Sequence, residues 1–548
     1  MVVKVDPKVN VVDYGPYLDL DARTPIRALF RRIVGMPRRI ITPDEFVWGA
    51  AQVTYKDIGV LREMIEHRKK GRDLREAMKK SVIQNAGAGH ASMATTPLLW
   101  VFLEGNSSKL VDSIFTGVRY GSSLMPSGRR VPVTEGAIVL PQDFPIKEGN
   151  SLTPENLTGN AERIYVESIR RNIQAYEKLQ DRGVSKQEAA KIVPYGHKGG
   201  GFMVLSLETL ASLSNEFQDN PDVPMEGKRI VAQLEDFVHS HGMEVTYEAR
   251  KNAPRTGCPN PSIFHTRKNL PYSLARREGI SLTDPTLISF DIVETPELEE
   301  RVREYLKRRE EVFSTPQKMR EGWAKLLRDK EHLVADNNDG VSALTFILEP
   351  WRVWGEDKRH RALPQTAESI YHTVERARKY LFKAEEKTLT PEYVSNFFSV
   401  PQKVAEDNGN WNIWINRIQE SFEVYDSLIK MGVDKSDAIN VIPRGIKLGV
   451  TKRRDLYNMT TGHDSLRLCT TAEPEMRQIT EKESALVTKA LPDYMRGLIG
   501  PKCADVGFCP DRKNCGRVAQ YLGFPNTQEI YDQMTKGREQ GIRDAIGE

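Results

Sequence analysis

The chain has 548 residues, and its 79 Lys and Arg residues nearly balance its 75 Asp and Glu residues, which leaves a formal net charge of +4. This balance argues against a protein that coats a polyanion, so we expect no polymeric nucleic acid as a partner. No stretch approaches the roughly 20 apolar residues that span a bilayer, and the N-terminal sequence MVVKVDPKV lacks an apolar signal core. We therefore expect a cytoplasmic enzyme that does not bind a membrane.

Hydrophobic periodicity predicts helices and short strands in both halves of the chain. Residues 56–81 form the first predicted helix, because apolar side chains share one stripe there. Further helices are predicted at residues 161–182, 296–307, 366–384 and 411–431, and strand-like apolar runs at residues 98–103 and 343–348. Residues 251–285 contain five prolines without sustained periodicity, which predicts a surface connector.

One segment of the sequence occurs twice. Residues 176–200, YEKLQDRGVSKQEAAKIVPYGHKGG, align without a gap with residues 425–449, YDSLIKMGVDKSDAINVIPRGIKLG, and ten positions are identical. A unit that recurs only once, 249 positions later, indicates a duplicated globular domain and not a repeat array. We predict homologous domains over residues 1–250 and 291–500, a linker at residues 251–290 and a cysteine-containing tail at residues 501–548.

Three of the five cysteines, Cys503, Cys509 and Cys515, crowd into the sequence GPKCADVGFCPDRKNCGR. In a cytoplasmic protein such clustering indicates thiolate chemistry, either a zinc or iron–sulfur site or a redox pair. Five residues separate successive cysteines, unlike the usual zinc knuckle, and a fourth ligand would have to come from Cys469 or Cys258. Plain reduced thiols or a disulfide are the alternative reading.

Each predicted strand lies shortly before a basic motif. In the second half, Arg359, His360 and Arg361 are followed by seven residues and then by Ser369, which we place two turns along a helix that begins near Thr366. Two guanidiniums that flank an imidazole suit a phosphate or a ring that carries developing negative charge. Without context, such a triplet is more often a charged surface turn.

The corresponding stretch of the first half differs in its chemistry. Arg119 aligns with Arg359, but Tyr120 and Gly121 replace the rest of the triplet. Ser127, Gly128 and Arg129 instead offer a hydroxyl, a position where backbone can approach a ligand, and a guanidinium. That combination suits a phosphate or a pyrimidine edge, and a simple serine-glycine turn is the alternative.

Together these motifs resemble the flavin-dependent thymidylate synthase family. The triplet, seven residues and Ser369 match the family signature RHRx7S, and Ser127–Arg129 resembles the family's nucleotide-binding Ser-Gly-Arg. The pair Gly89–His90 precedes a strand as in the family, and LRLCTTAEPEMRQ at residues 466–478 resembles the helix that carries a substrate-binding arginine, here Arg467. The cysteine tail resembles that of longer relatives.

The resemblance implies a fold, a reaction and a set of cofactors. It implies an α+β fold in which each domain is a mostly antiparallel sheet packed with helices. It implies FAD, with methylenetetrahydrofolate as carbon donor and NADPH as reductant, for the methylation of dUMP or a related pyrimidine nucleotide to dTMP or its counterpart. Reduced flavin supplies hydride in this family, while arginines stabilise charge on the ring.

The resemblance also implies a role for each matched residue. FAD would be bound by Arg359, His360 and Arg361, with His90 and Arg119 of the first half. The nucleotide would be bound by Ser127, Gly128, Arg129, Ser369 and Arg467. The catalytic roles would fall to Arg467 and Arg359, which would stabilise the charge.

The two halves lack complementary parts of the family pattern. The first half has lost most of the triplet, whereas the second has Ser369, Ile370 and Tyr371 where the nucleotide loop would lie. Because family sites are assembled from several subunits, the two halves would share one composite site, and a homodimer would reproduce a four-domain assembly as a pseudo-tetramer.

Other departures leave the acceptor open. Glu356 stands where the family has glutamine, and Asn440 and Lys191 lie near positions where it has an arginine, so a changed pyrimidine specificity is one alternative. A degenerate homologue that binds nucleotide or flavin without catalysis is another. A third uses the cysteine tail to feed electrons to the flavin.

Overall fold

The computed structural model describes residues 3–16, 18–19, 40–53, 62, 74–87, 91–126, 133–141, 154–254, 260–383, 389–511 and 514–547. These residues form two compact units. The first unit holds the described residues within 1–267, 369–391 and 400–445, and the second holds those within 268–368, 392–399 and 446–548. Each unit thus combines separate stretches of the chain. The division into homologous domains at residues 1–250 and 291–500 concerns sequence similarity and stays a prediction.

Twelve strands occur among the described residues. In chain order they are β1 Val3–Lys4, β2 Asp6–Gly15, β3 Leu18–Asp19, β4 Ile40–Ile41, β5 Leu98–Asn106, β6 Gly121–Leu124, β7 Val139–Leu140, β8 Gly201–Ser206, β9 Thr286–Ile292, β10 Val341–Pro350, β11 Gln365–Ala367 and β12 Lys447–Asp455.

The helices of the first half of the chain, among the residues described, are α1 Pro43–Val53, α2 Leu74–Gly87, α3 Ala91–Thr95, α4 Val111–Phe115, α5 Pro154–Asp181, α6 Lys186–Ala189, α7 Leu207–Gln218, α8 Met225–Ser240, α9 Glu244–Lys251 and α10 Leu270–Leu274. Those of the second half are α11 Pro296–Val312, α12 Pro316–Asn337, α13 Trp351–Asp357, α14 Ile370–Phe382, α15 Pro391–Val394, α16 Gln402–Ala405, α17 Asn408–Lys430, α18 Lys435–Ala438, α19 Leu456–Thr460, α20 Asp464–Arg467, α21 Pro474–Ala490, α22 Lys502–Val506 and α23 Gln528–Ile546. No described helix is both long and apolar enough to cross a membrane.

Each unit contains one four-stranded antiparallel sheet, and the two sheets have the same strand order. In the first unit the order is β2-β5-β8-β6, and in the second it is β9-β10-β12-β11. The third strand of the first sheet, β8, begins directly after residues 176–200, and that of the second sheet, β12, begins at Lys447, near the end of residues 425–449. The fourth strands, β6 and β11, follow Arg119 and Arg361 in the chain. The fold is therefore α+β with antiparallel sheets and packed helices, as expected.

Residues that the repeat places 249 positions apart contact each other within the first unit. Asn172 on α5 donates from Nδ2 to Ser421 Oγ on α17 at 2.9 Å, and Arg171 Nη1 lies 2.8 Å from Glu420 Oε1. Pro194 and Pro443 form an antiparallel bridge beyond these helices. Such pairing of equivalent positions is the geometry of an isologous contact about a two-fold axis.

The second unit shows how local sequence and burial agree. Thr295 and Thr315 each precede a proline, and their hydroxyls accept hydrogen bonds from the backbone N–H groups of Leu298 and Lys318, so they cap α11 and α12. The two helices bury one apolar stripe each: Leu298, Val302 and Tyr305, and Met319, Leu326 and Leu333. These side chains form the core that supports the edge of the second sheet.

Most predicted elements are confirmed, and one is wrong. The helices predicted at 161–182, 296–307 and 411–431 correspond to α5, α11 and α17, and the predicted strands lie inside β5 and β10. The helix predicted at 366–384 instead begins at Ile370, because residues 365–367 pair with β12 as strand β11. Ser369 therefore caps a helix and does not lie two turns along it. The helix predicted at 56–81 lies largely outside the described residues, which show α2 from Leu74 onward.

Candidate active site

The basic triplet lies on a tight loop of the second unit, between α13 and β11. The His360 N–H donates to the Asp357 carbonyl, and the Leu363 N–H donates to the His360 carbonyl, both at 3.0 Å. The Arg361 N–H donates to the carbonyl of Arg359, also at 3.0 Å. These hydrogen bonds join residues two or three positions apart, as in a tight turn. They allow the chain to pass from the end of α13 to the edge strand β11 within a few residues.

The imidazole of His360 is neutral at physiological pH. Burial, together with the charges of His463 and Arg467, lowers its pKa to about 3. Its ring meets that of His463 edge to face, with centroids 4.9 Å apart. A neutral imidazole offers one N–H donor and one acceptor nitrogen to a ligand.

The two guanidiniums of the triplet form an electropositive pair. Arg359 and Arg361 are both half-buried. Burial, and then the neighbouring charge of Arg359, lowers the pKa of Arg361. A bound anion would stabilise this pair of cations, because its charge offsets both their mutual repulsion and the hydration that they lose on burial.

Arg467 reaches the same loop from α20. Its Nη2 donates to the backbone carbonyl of Glu356 at 3.4 Å, and its charge acts on His360. The structure therefore brings Arg359, His360, Arg361 and Arg467 together, although more than 100 residues separate Arg467 from the triplet. Three cationic side chains and a neutral imidazole can bind a phosphate and an electron-rich ring side by side.

A buried ionic network supports this loop and α20. Asp357 accepts from His463 Nε2 at 2.5 Å and lies 2.6 Å from Lys452 Nζ, while His463 Nδ1 lies 2.7 Å from Asp464 Oδ1. Burial lowers the pKa of His463, but the two carboxylates outweigh it and hold that pKa above its ordinary value. The imidazolium therefore joins Asp357, two residues before the triplet, to the start of the helix that carries Arg467.

The network continues into the sheet. Arg454 donates to Glu483 Oε2 at 2.6 Å and to Thr345 Oγ1 at 2.7 Å, and Lys452 lies 2.7 Å from Glu349 Oε2. Sequence reasoning missed these residues. One pattern in the sequence could have indicated them. Val450, Lys452 and Arg454 occupy every second position of β12 and so share one face, which is buried. Basic residues on a buried face need carboxylate partners.

The remaining predicted residues lie elsewhere or outside the description. Arg119 is exposed just before β6, and its backbone N–H donates to Asn260 Oδ1 at 3.2 Å. Ser369 is fully buried in the first unit, and its Oγ accepts from the Tyr371 N–H at 3.3 Å as the cap of α14. His90 and the Ser127–Gly128–Arg129 motif lie outside the described residues. The binding roles of all these residues stay predictions.

Four cysteines line one cavity of the second unit: Cys469, Cys503, Cys509 and Cys515. Burial, and then the other three thiols, raise the pKa of Cys503 to about 12. Burial also raises the pKa of Cys509. Within the described part of the chain, no three His, Cys, Asp or Glu side chains are arranged to hold a metal ion.

Comparisons with known proteins find similarity in this region. Residues 341–493 match the family model described as thymidylate synthase complementing protein. A flavin-dependent thymidylate synthase of Pyrococcus abyssi is 26% identical over 128 residues, which are 23% of this chain and 52% of the relative. One of Thermococcus onnurineus is 25% identical over 201 residues, which are 36% of this chain and 74% of the relative. The chain spans about half the length of the first of these relatives.

A solved structure is similar over about half of the chain. The crystal structure of a UMP/dUMP methylase, PolB, from Streptomyces cacaoi, bound with 5-Br dUMP, is 16% identical with a TM-score of 0.33. The match covers 47% of this chain and 100% of that one.

Proposed function

We propose that the chain is a flavin-dependent methylase that acts on dUMP or a related pyrimidine deoxynucleotide, because residues 341–493 match the family model described as thymidylate synthase complementing protein. One observation carries the proposal: inside the matched segment, the loop of Arg359, His360 and Arg361 meets Arg467. The names of the relatives support the flavin and the reaction. The nucleotide substrate favours a cytoplasmic location.

The residues of the loop fit FAD. Arg359 and Arg361 form a partly buried cationic pair that suits the pyrophosphate, and neutral His360 can donate to or accept from the ring system without adding charge. When bound, FAD supplies the reducing equivalents, with NADPH as their source and methylenetetrahydrofolate as the carbon donor. We also assign Arg359 a catalytic role: like Arg467, it would stabilise the negative charge that develops on the pyrimidine ring.

Arg467 is the residue that we assign to the pyrimidine. Its guanidinium can donate to a carbonyl oxygen of the ring and stabilise the negative charge that develops when C5 becomes nucleophilic. The imidazolium of His463 and the carboxylate of Asp357 orient Arg467 and the loop with respect to each other. We class these two as positioning residues.

We further propose that the chain arose by tandem duplication and forms a homodimer that reproduces a four-domain assembly. The common strand order of the two sheets and the pairing of residues 249 positions apart support the duplication. In this proposal the first half contributes Ser127, Gly128 and Arg129 to the nucleotide site.

The test uses the full chain purified without oxygen. We expect oxidised-flavin absorbance that NADPH bleaches, and release of tritium from dUMP labelled at C5 that requires methylenetetrahydrofolate. Arg361→Ala should weaken FAD binding at least about tenfold, as expected for a lost charge-assisted hydrogen bond. Arg467→Ala should retain FAD but lower turnover roughly 100-fold or more.

A matched control separates these effects from loss of charge. Arg303 is exposed on α11 and pairs with Glu299 one turn away, so Arg303→Ala should bind FAD and turn over like the wild type. A wild-type protein that takes up no FAD and releases no tritium would refute the proposal.

A further inference from the structure

The contact between the two repeated segments, which lies within the first unit, follows a two-fold relation in its backbone hydrogen bonds. Gly196 donates its N–H to the carbonyl of Asn440 at 3.1 Å, and Gly445 donates its N–H to the carbonyl of Lys191 at 2.8 Å. Both donors and both acceptors are related by 249 positions, so each bond is the equivalent of the other with the two segments exchanged. The segments therefore meet as like surfaces do in an isologous dimer.

One pair of equivalent positions at this contact holds unlike side chains. Tyr195 of the first segment corresponds to Arg444 of the second, again 249 positions later. The Arg444 guanidinium lies over the Tyr195 ring, 5.4 Å from the ring centroid. A cation over the face of an aromatic ring is attracted by the electron density of the ring. A surface that pairs with its own copy would instead carry the same residue at both positions.

Arg444 also binds the backbone of the opposite segment. Its Nε donates to the carbonyl of Val193 at 2.8 Å, and its Nη2 donates to the carbonyl of Ala190 at 3.1 Å. Arg444 is 2% exposed and Tyr195 is 4% exposed, so the contact excludes water. A guanidinium buried in this way requires fixed acceptors, and the first segment supplies two.

Pairing of two second segments would place one arginine opposite another. Two guanidiniums would then share the buried space that one guanidinium and one phenol ring now occupy, and little water would screen their repulsion. The charge of Arg444 already acts at this place: behind burial, it is the next cause that lowers the pKa of the His197 imidazole. Pairing of two first segments would bring together two tyrosines and remove the guanidinium that binds the two carbonyls.

We propose that Arg444 and Tyr195 make this interface selective for unlike halves of the chain. The surface of the second half binds a surface that offers an aromatic ring and two carbonyl acceptors, and it rejects a second copy of itself. Any pairing at this interface, within one chain or between two, therefore joins a first half to a second half. Neither the repeat nor these contacts depend on the proposed methylase function.

The test exchanges the two side chains in the full chain. Tyr195→Arg places two arginines at the interface, and Arg444→Tyr places two tyrosines there. The double variant restores an unlike pair with the sides exchanged. Because the contact is two-fold, an arginine introduced at position 195 faces the carbonyls of Ile439 and Ile442, which correspond to those that Arg444 now binds.

Hydrogen exchange with mass spectrometry measures the pairing locally, on peptides that contain the amides of Gly196 and Gly445. We expect these amides to exchange at least roughly 100-fold faster than in the wild type in Tyr195→Arg and at least roughly tenfold faster in Arg444→Tyr. The double variant should exchange within about threefold of the wild type, because the two changes compensate each other. Arg163→Tyr, the same replacement at an exposed position of α5, is the control and should exchange like the wild type.

Two results would overturn the proposal. One is exchange in Tyr195→Arg that equals the wild type. The other is a double variant that exchanges as fast as Tyr195→Arg, since the side chains would then contribute independently and not as a pair. If Tyr195→Arg does not fold, the double variant decides alone: it contains the same change, so a folded protein with slow exchange supports the proposal and a second failure to fold refutes it.

Discussion

Replacing Glu349 with glutamine should remove a loss of stability that the wild-type protein shows as the pH rises through about 7. Within the described residues, the buried network of the second unit contains three basic groups, Lys452, Arg454 and His463, and four carboxylates. One carboxylate is therefore in excess. Burial, and behind it the charges of Asp357 and Glu483, raises the pKa of Glu349 to about 7 although Lys452 opposes the shift.

The sign and size of the effect follow from this pKa. The ordinary value for a glutamate is 4.5, so between pH 4.5 and about 7 the folded protein holds a proton that the unfolded chain has lost. Stability therefore falls over this range, by about 3 kcal/mol in all and by about 2 kcal/mol between pH 5.5 and 8.5. Glutamine has the same shape as the protonated acid and does not titrate. Glu349→Gln should thus gain about 2 kcal/mol over the wild type on going from pH 5.5 to 8.5.

Urea-induced unfolding at these two pH values measures the difference. Glu299→Gln, which removes an exposed carboxylate on α11, is the control and should follow the wild type at both. A deficit of Glu349→Gln that grows with pH would show that Glu349 is ionised and paired with Lys452. The same pH dependence in variant and wild type would place the proton on another carboxylate. Either result would refute the inference that Glu349 is the carboxyl group that stays protonated up to a pH of about 7.

Three further predictions concern the shared site, the tail and the first sheet. Arg129→Ala and Arg361→Ala should each lower tritium release from dUMP at least about 100-fold, because we place them in one composite site; loss in only one variant would contradict that arrangement. Lys330→Met should lower the free energy of urea-induced unfolding by about 3–5 kcal/mol, because it leaves the Asp505 carboxylate beside α12 buried without its cation, and adding Asp505→Leu should restore most of the loss. Gly121→Ala should cost about 1–3 kcal/mol and lower the melting temperature, because its Cβ would lie 2.5 Å from the Val204 carbonyl oxygen; an unchanged melting temperature would contradict this packing.

Sequence patterns predicted the elements whose local preferences agree with their packing. The helices α5, α11 and α17 each place an apolar stripe against a neighbour, so periodicity and burial point to the same answer. Thr366 and Ala367 show the opposite case. Both were predicted to begin a helix, but they pair with β12, more than 80 positions later, and local sequence carries no signal for that pairing.

The sequence predicted the residues of the candidate site that would contact a ligand. It did not predict the buried ionic network that holds those residues in place. The triplet and Arg467 stand out because short motifs carry them. The carboxylates of the network come from β10, α13, α20 and α21, and no single stretch of sequence shows that they meet around Lys452 and Arg454. From the sequence, either Cys469 or Cys258 could be the fourth cysteine beside Cys503, Cys509 and Cys515. The structure shows that Cys469 lines the same cavity as these three.

The missing triplet of the first half has a structural reason that bears on how the two halves divide their work. In the alignment Gly121 corresponds to Arg361, yet β6 begins at Gly121, whereas β11 begins only at Gln365, four residues after Arg361. At the aligned position, the first half has therefore already entered its edge strand β6, whereas the second half is still in the loop that carries the triplet. Because a Cβ at position 121 would meet the carbonyl oxygen of Val204 at 2.5 Å, no arginine fits there while β6 pairs with β8. The loss is therefore built into the strand pairing, and only the second half can present the full triplet.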